Sequence, residues 1–155
     1  MPLDGDYEPS VAPNARAQAE MFKDSSGAEG GTMYGRPIVL LTTKGRQTGN
    51  LRRTPLLRVE YDGEYAVVAS RRGAPENPSW YYNATAHPLV ELQDGAITRD
   101  FVAREVFDDE KSAWWQRATA VWPDYHAYQQ ATTRAIPVLV LSPVETTETD
   151  RKSTK

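Results

Sequence analysis

Arg46, within a Gly-Arg-Gln-Thr-Gly turn, and Arg52, with Arg53 beside it, can converge across the hairpin of the stretch LLTTKGRQTGNLRRTPLL. Guanidinium groups that converge across such a hairpin suit phosphate or carboxylate oxygens, to which they donate paired, charge-assisted hydrogen bonds. Small residues around Gln47 and Thr48 leave backbone N–H groups open to the same anion. Taken alone, the hairpin could equally be a solvated basic loop. The next basic group changes that balance. Ser70-Arg71-Arg72-Gly73 leads through Asn77-Pro78, an N-cap and first helical residue, to a helix whose free N–H groups at Ser79 and Trp80 form a second anion-binding edge with Arg71. Two such edges imply one elongated ligand with several negative charges.

Aromatic residues accompany both edges. A helix cannot bury Trp80, Tyr81 and Tyr82 on one face, so at least one is expected to meet a ligand or partner. Trp122, Tyr125 and Tyr128 recur every third residue and share one side of a helix. They either extend the core stripe of Trp115 and Ala118 or line a pocket in which phenol hydroxyls bond a carbonyl, quinone or nitro oxygen. His87 and His126 have no evident catalytic partner, which leaves a Ser-His-Asp triad unsupported. The chain has no Cys, so disulfides, thiolate metal sites and Cys nucleophiles are excluded, and no carboxylate or His spacing indicates a bound metal.

Charge is unevenly spread. Residues 36 to 72 hold eight Lys/Arg against three acids, a surplus of +5, whereas the remainder holds ten against eighteen, or −8. A compact basic zone in an acidic chain points to a specific anion and away from general adhesion to nucleic acid. The opening residues lack the basic and apolar regions of a secretory signal, and the longest apolar run, Ile136 to Leu141, is too short to cross a bilayer. A cytoplasmic location is expected, with at most a weak peripheral membrane contact, because the N-terminal arm lacks the apolar face of an interfacial helix.

The elements that must position these residues follow from pattern. Residues 1 to 30 read as a flexible polar arm with one helix from Asn14 to Lys23, Ala17, Met21 and Ala19 facing inward. PIVLLTT, LLRVEY and YAVVAS then read as three consecutive antiparallel strands, the last two joined by a tight turn at Asp62-Gly63. Pro55 removes a ladder donor, so an edge position or a bulge is expected there. A short helix runs from Pro78 to Ala86. LVELQ and ITRDFVAREV form a second hairpin about Asp94-Gly95, and acids at 108 to 110 open a helix whose buried face holds Trp114, Trp115, Ala118, Val121 and Trp122. Pro123 restarts the helix to about Thr133, and IPVLVLSP is a last buried strand before a disordered tail over 145–155. The order βββ-α-ββ-αα-β, joined by hairpins, predicts an α+β domain over 31–144, mainly β, an antiparallel sheet or barrel with peripheral helices.

The segments LLTTKGRQTGNLRRTPL, VVASRRGAPENPSWYYN and VWPDYHAYQQATTRAIPV, in this order, resemble the deazaflavin-dependent nitroreductase and quinone reductase family, which binds coenzyme F420 on a flavin-reductase-like split β-barrel. The resemblance runs from about Arg36 to Pro143. It implies a phosphate and oligoglutamate tail along Arg46, Gln47, Thr48, Arg52, Arg53 and Arg71. It also implies a deazaflavin ring against Thr54, Pro55, Leu56, Leu57, Val68, Ala69 and Ser70, with Ser79, Trp80, Tyr81 and Asn83 closing over it. The hydride would leave ring carbon C5 for a planar acceptor, a quinone or nitroaromatic, in a pocket of Leu57, Trp122, Tyr125 and Tyr128. Ser70, Tyr125 and Tyr128 are then the candidate catalytic donors. The chain departs from members with developed nitroreductase activity at Gln47, where they carry lysine, and at Leu57 and Trp122, where they carry tyrosine. FMN, whose single phosphate Arg46 and Arg52 could also hold, is the second cofactor candidate; a non-catalytic cofactor carrier or single-strand nucleic-acid module is the third possibility.

Overall fold

A computed structural model describes residue 3 and residues 5–144; the tail expected to be disordered lies outside the described residues. The elements are α1 (Pro13–Asp24), β1 (Thr32–Met33), β2 (Arg36–Lys44), β3 (Leu51–Leu57), β4 (Glu60–Tyr61), β5 (Glu64–Val68), α2 (Ser79–Ala86), β6 (Leu89–Asp94), β7 (Ile97–Glu105), α3 (Asp108–Val121), α4 (Asp124–Gln130) and β8 (Val138–Pro143). One antiparallel sheet runs in the order β1-β2-β6-β7-β8-β5-β4, and β3 adds to β2. The expected α+β architecture is thus borne out.

The sheet is covered on both faces, which explains its continuous apolar runs. Alternate residues of one strand enter different cores. Ile38 and Leu40, Ala66 and Val68, and Val138 and Val140 join Phe22, Trp114, Ala118 and Tyr125 from α1, α3 and α4. Val39 and Leu41, Val67 and Ala69, and Leu139 and Leu141 pack with Trp80 and Ala84 of α2. The period-two reversal of side chains along a strand produces this division.

Five expectations are corrected. LLRVEY is not one strand: β3 ends at Leu57, paired with Ile38, and the chain resumes at Glu60 in a hairpin with β5. β5 then pairs with β8, so β3 and β5 are not neighbours and the three-strand meander does not form. Leu57 and Val59 do share a face, as their alternation requires; periodicity specifies faces and leaves strand partners open. In α1 Ala19 is inward as expected, but its companion is Phe22, while Ala17 and Met21 are exposed, because the bulkiest apolar side chain sets the docked face. Asn77 does not cap α2, whose N-cap is Pro78 with no side-chain cap bond. Helix α4 ends at Gln130, short of Thr133.

Other details agree. The Asp62-Gly63 turn has φ of 54° and 84°, the left-handed pair that a two-residue hairpin requires. Among the described strands β3 pairs with β2 alone, which places Pro55 on an edge. No described helix is long and apolar enough to cross a membrane.

Candidate functional site

An open cleft of about 1100 Å³ lies between the β2–β3 turn, the N-terminal arm and the start of α2. Arg46, Gln47, Thr48, Arg52, Arg53 and Thr54 line one side, and Arg71, Ser79, Trp80 and Asn83 the other. The turn is held by its own backbone: the Gly45 N–H donates to the Asn50 carbonyl at 2.7 Å and the Gly49 N–H to the Gly45 carbonyl at 2.9 Å. The Asn50 N–H donates to Thr48 Oγ1. Most of the turn's N–H groups are therefore occupied, and those of Gln47 and Thr48 are left without a partner among the described residues. The turn is tied across the cleft to α2, since the Arg46 N–H donates to Oδ1 of buried Asn83 at 3.1 Å. The Arg46 guanidinium lies over the Tyr82 ring at 5.0 Å.

Arg53 carries an orphaned donor. Its Nε is buried and makes no hydrogen bond among the described residues, although the guanidinium lies over the Tyr7 ring at 4.3 Å. An unpaired buried N–H is costly.

The opposite edge is built on a strained turn. Arg71, Arg72 and Gly73 have φ of 46°, 56° and 83°, three successive left-handed residues. A side chain at Gly73 would place Cβ 2.7 Å from the Tyr128 carbonyl oxygen, so α4 holds the turn in place. Arg134, which precedes β8, clamps the loop from within. Its Nε donates to the Ala74 carbonyl at 2.8 Å, Nη2 to the Ser70 carbonyl at 2.8 Å and Nη1 to the Ala69 carbonyl at 3.2 Å and to Asn77 Oδ1. Burial lowers the Arg134 pKa, with the nearby Arg71 charge adding to the effect. Asn77 therefore serves Arg134 and not the helix end.

Behind this turn lies an aromatic ledge. Tyr34 stacks on Trp122 with centroids 4.7 Å apart and planes 10° from parallel. Arg72 Nη2 donates to the Tyr34 hydroxyl at 2.6 Å, and Arg36 Nε to the Val121 carbonyl at 2.9 Å. The Trp122 Nε1–H donates to the Tyr128 hydroxyl at 3.2 Å, which leaves that hydroxyl's own proton to donate elsewhere. Tyr125 is buried, and desolvation, with Tyr128 and Tyr34 nearby, raises its pKa, so it is a neutral phenol and a donor at ordinary pH.

The residues proposed from sequence therefore fall into two groups. The tail residues, with Thr54, Ser79, Trp80 and Asn83, meet at the cleft. Leu57, Val68 and Tyr125 sit in the core beneath the ledge, against which Trp122 and Tyr128 pack. Leu56, Ala69 and Tyr81 pack on the opposite core, and Pro55 is buried in β3. Pro55, Leu56, Leu57, Val68, Ala69, Ser70 and Tyr81 are not among the residues that line the cleft. Tyr81 donates to Glu105 Oε1 at 2.5 Å, and its neighbour Tyr82 lines the cleft. Burial, then the Glu105 bond and charge, pushes the Tyr81 pKa up to about 12.

Sequence reasoning also missed the arm. Glu8, Ser10, Val11, Ala12 and Ala15 form a wall of the cleft. The arm reaches it through a parallel bridge between Tyr7 and Leu51, with the Leu51 N–H donating to the Asp6 carbonyl at 2.7 Å and the Glu8 N–H to the Leu51 carbonyl at 2.8 Å. The signal was Pro55, because an edge strand leaves backbone groups free to accept such a strap.

Comparison with known proteins agrees with this geometry. The family model described as F420H(2)-dependent quinone reductase matches residues 14–143. An F420H(2)-dependent quinone reductase of Mycobacterium tuberculosis is 33% identical over 131 residues, covering 82% of this chain and 88% of that protein. The solved structure of an F420-H2 dependent reductase is 47% identical with a TM-score of 0.66, covering 69% of this chain and 95% of the other. For the fold alone, a Listeria innocua structure titled as a pyridoxamine 5'-phosphate oxidase aligns with a TM-score of 0.51 at 12% identity, over 70% of this chain and 84% of its own. That likeness identifies the curled sheet as a split barrel. On a match that spans most of its length, the chain belongs to the F420H(2)-dependent quinone reductase family.

Proposed function

We propose that the protein binds reduced coenzyme F420 in the arginine-lined cleft and reduces a planar acceptor, a quinone first and a nitroaromatic second. The observation that carries this reading is the convergence of Arg46, Arg52, Arg53 and Arg71, from two separate segments, on one cleft. These residues fit a phosphate followed by a run of carboxylates better than a single phosphate, because the two edges are supplied by separate segments of the chain. Family membership supports the choice of coenzyme.

When bound, the deazaflavin supplies the hydride. The chain supplies position and a proton. Arg46, Arg52, Arg53 and Arg71 would hold the anionic tail, assisted by the Gln47 and Thr48 N–H groups and the first turn of α2. Thr54, Ser79 and Trp80 line the cleft where the ring end would enter. Tyr128, which accepts from Trp122, and Tyr125, a phenol kept neutral by burial, are the proposed donors to an acceptor oxygen, with the Ser70 hydroxyl at the head of the strained turn. Orientation and hydrogen bonding are within their reach at neutral pH; general-base chemistry is not.

The test is a fluorescence titration with F420 against FMN, followed by oxidation of the reduced coenzyme by menaquinone analogues and nitroaromatics. Micromolar F420 binding that weakens with salt, weak FMN binding and quinone turnover are expected. FMN binding as tight as F420 would transfer the assignment to the flavin, and absence of turnover with both acceptor classes would leave a carrier.

A further inference from the structure

We infer that Glu8 is a resident counter-anion of the cleft, a carboxylate held by the arm on Arg52 that an incoming anion must displace. This rests on the cleft being the anion groove just proposed. Glu8 Oε2 lies 3.0 Å from Arg52 Nη1, and its Oε1 accepts from Asn50 Nδ2 at 3.2 Å. Its backbone is fastened by the Glu8 N–H to Leu51 carbonyl bond, and the Leu51 N–H to Asp6 carbonyl bond precedes it. The carboxylate is thus delivered to the groove by main-chain pairing along the free edge of β3 and does not arrive there by chance rotation of a long side chain.

The chemistry of this group matters. Glu8 presents the same functional group as a glutamate tail, at one of the four arginines that would receive one. With the Glu8 side chain 40% exposed and that of Arg52 31%, the pair is weak enough to open. Arg71 on the far edge also faces a glutamate, Glu76 at 3.6 Å, but those side chains are 52% and 81% exposed and no backbone strap fastens them in place. Glu8 is therefore the specificity-determining member. A ligand with one charge gains little by opening the Arg52 pair, whereas a polyanion engages Arg46, Arg53 and Arg71 at once and displaces the carboxylate into solvent.

The experiment compares the full chain with E8Q and E8D, using coenzyme F420 and inorganic pyrophosphate as separate ligands over a range of salt. Gln retains the Oε1 acceptor for Asn50, so the strap stays docked while the charge is lost. The expected result is tighter binding of both ligands by E8Q, about two- to fivefold, with a steeper salt dependence and wild-type behaviour in E8D. A carboxylate that merely braces the wall predicts the opposite sign, and equal or weaker binding by E8Q overturns the inference. Failure of the wild-type protein to bind F420 would refute the proposed function separately, and the pyrophosphate comparison would still decide the role of Glu8.

Discussion

Arg134 donates through Nη2 to the Ser70 carbonyl at 2.8 Å, joining residues 64 apart in sequence and bringing the start of β8 under the turn that carries Arg71. The same guanidinium reaches Ala69, Ala74 and Asn77. One side chain thus satisfies three loop carbonyls and a side-chain amide that no sheet ladder serves.

Replacing Arg134 with Ala leaves those acceptors unpaired and is expected to cost about 1–3 kcal/mol of stability, measured by urea unfolding. Hydrogen exchange should rise over 69–77 before it rises in the sheet. R134K, with a point charge in place of the planar fork, should recover only part of the loss. Unchanged exchange in that loop would show that the clamp is dispensable.

The two edges of the cleft should contribute to binding independently. R46A and R71A are each expected to weaken F420 binding about tenfold and to flatten its salt dependence, in line with the loss of one charge-assisted interaction apiece. The double variant should approach the product of the two effects. A titration in which R71A matches the wild type would remove the second edge from the site.

Gly73 has a φ of 83°, and a Cβ there would meet the Tyr128 carbonyl at 2.7 Å. G73A should therefore destabilise the fold by about 1–3 kcal/mol, since both conformation and space are unfavourable. Thermal unfolding measures the loss, and a Tm equal to the wild type would contradict the packing of α4 on the turn.

Alkaline stability should depend on Tyr81 and Tyr65. Burial is the leading cause for both; hydrogen bonds to Glu105 and Asp94 add to it, and each phenol is pushed from 10.0 up to about 12. Raised folded-state values mean that the folded protein holds the protons more tightly. The stability they contribute is fully present below about pH 10 and is lost as pH rises towards 12. Unfolding measured across that window should show the decline, and Y81F should make it shallower.

Much of the cleft was legible in the sequence because charge, glycine and helix-start signals are local. Arg46, Gln47, Thr48, Arg52, Arg53 and Thr54 belong to one hairpin, and Ser79, Trp80 and Asn83 to one short helix, so naming the elements was enough to name the residues. Which of Tyr81 and Tyr82 lines the cleft is not legible in the sequence, because successive helix residues lie about 100° apart and only the position of Glu105 on β7 decides where Tyr81 points. Leu56 and Leu57 enter opposite cores, as neighbours along a strand must.

By itself the amino-acid sequence determined the alternation of faces, the antiparallel hairpins, an edge or a bulge at Pro55 and the clustering of basic residues that line the cleft. Each depends on residues a few positions apart and on the fixed periods of strand and helix. Only the tertiary structure decided that β5 joins β8 and not β3, that the arm docks on Leu51 with Glu8 on Arg52, and that Arg134 clamps the Ser70 turn. Those contacts join residues 44 to 76 apart, and no local periodicity encodes them; they are selected by which buried faces and unpaired backbone groups can be satisfied together.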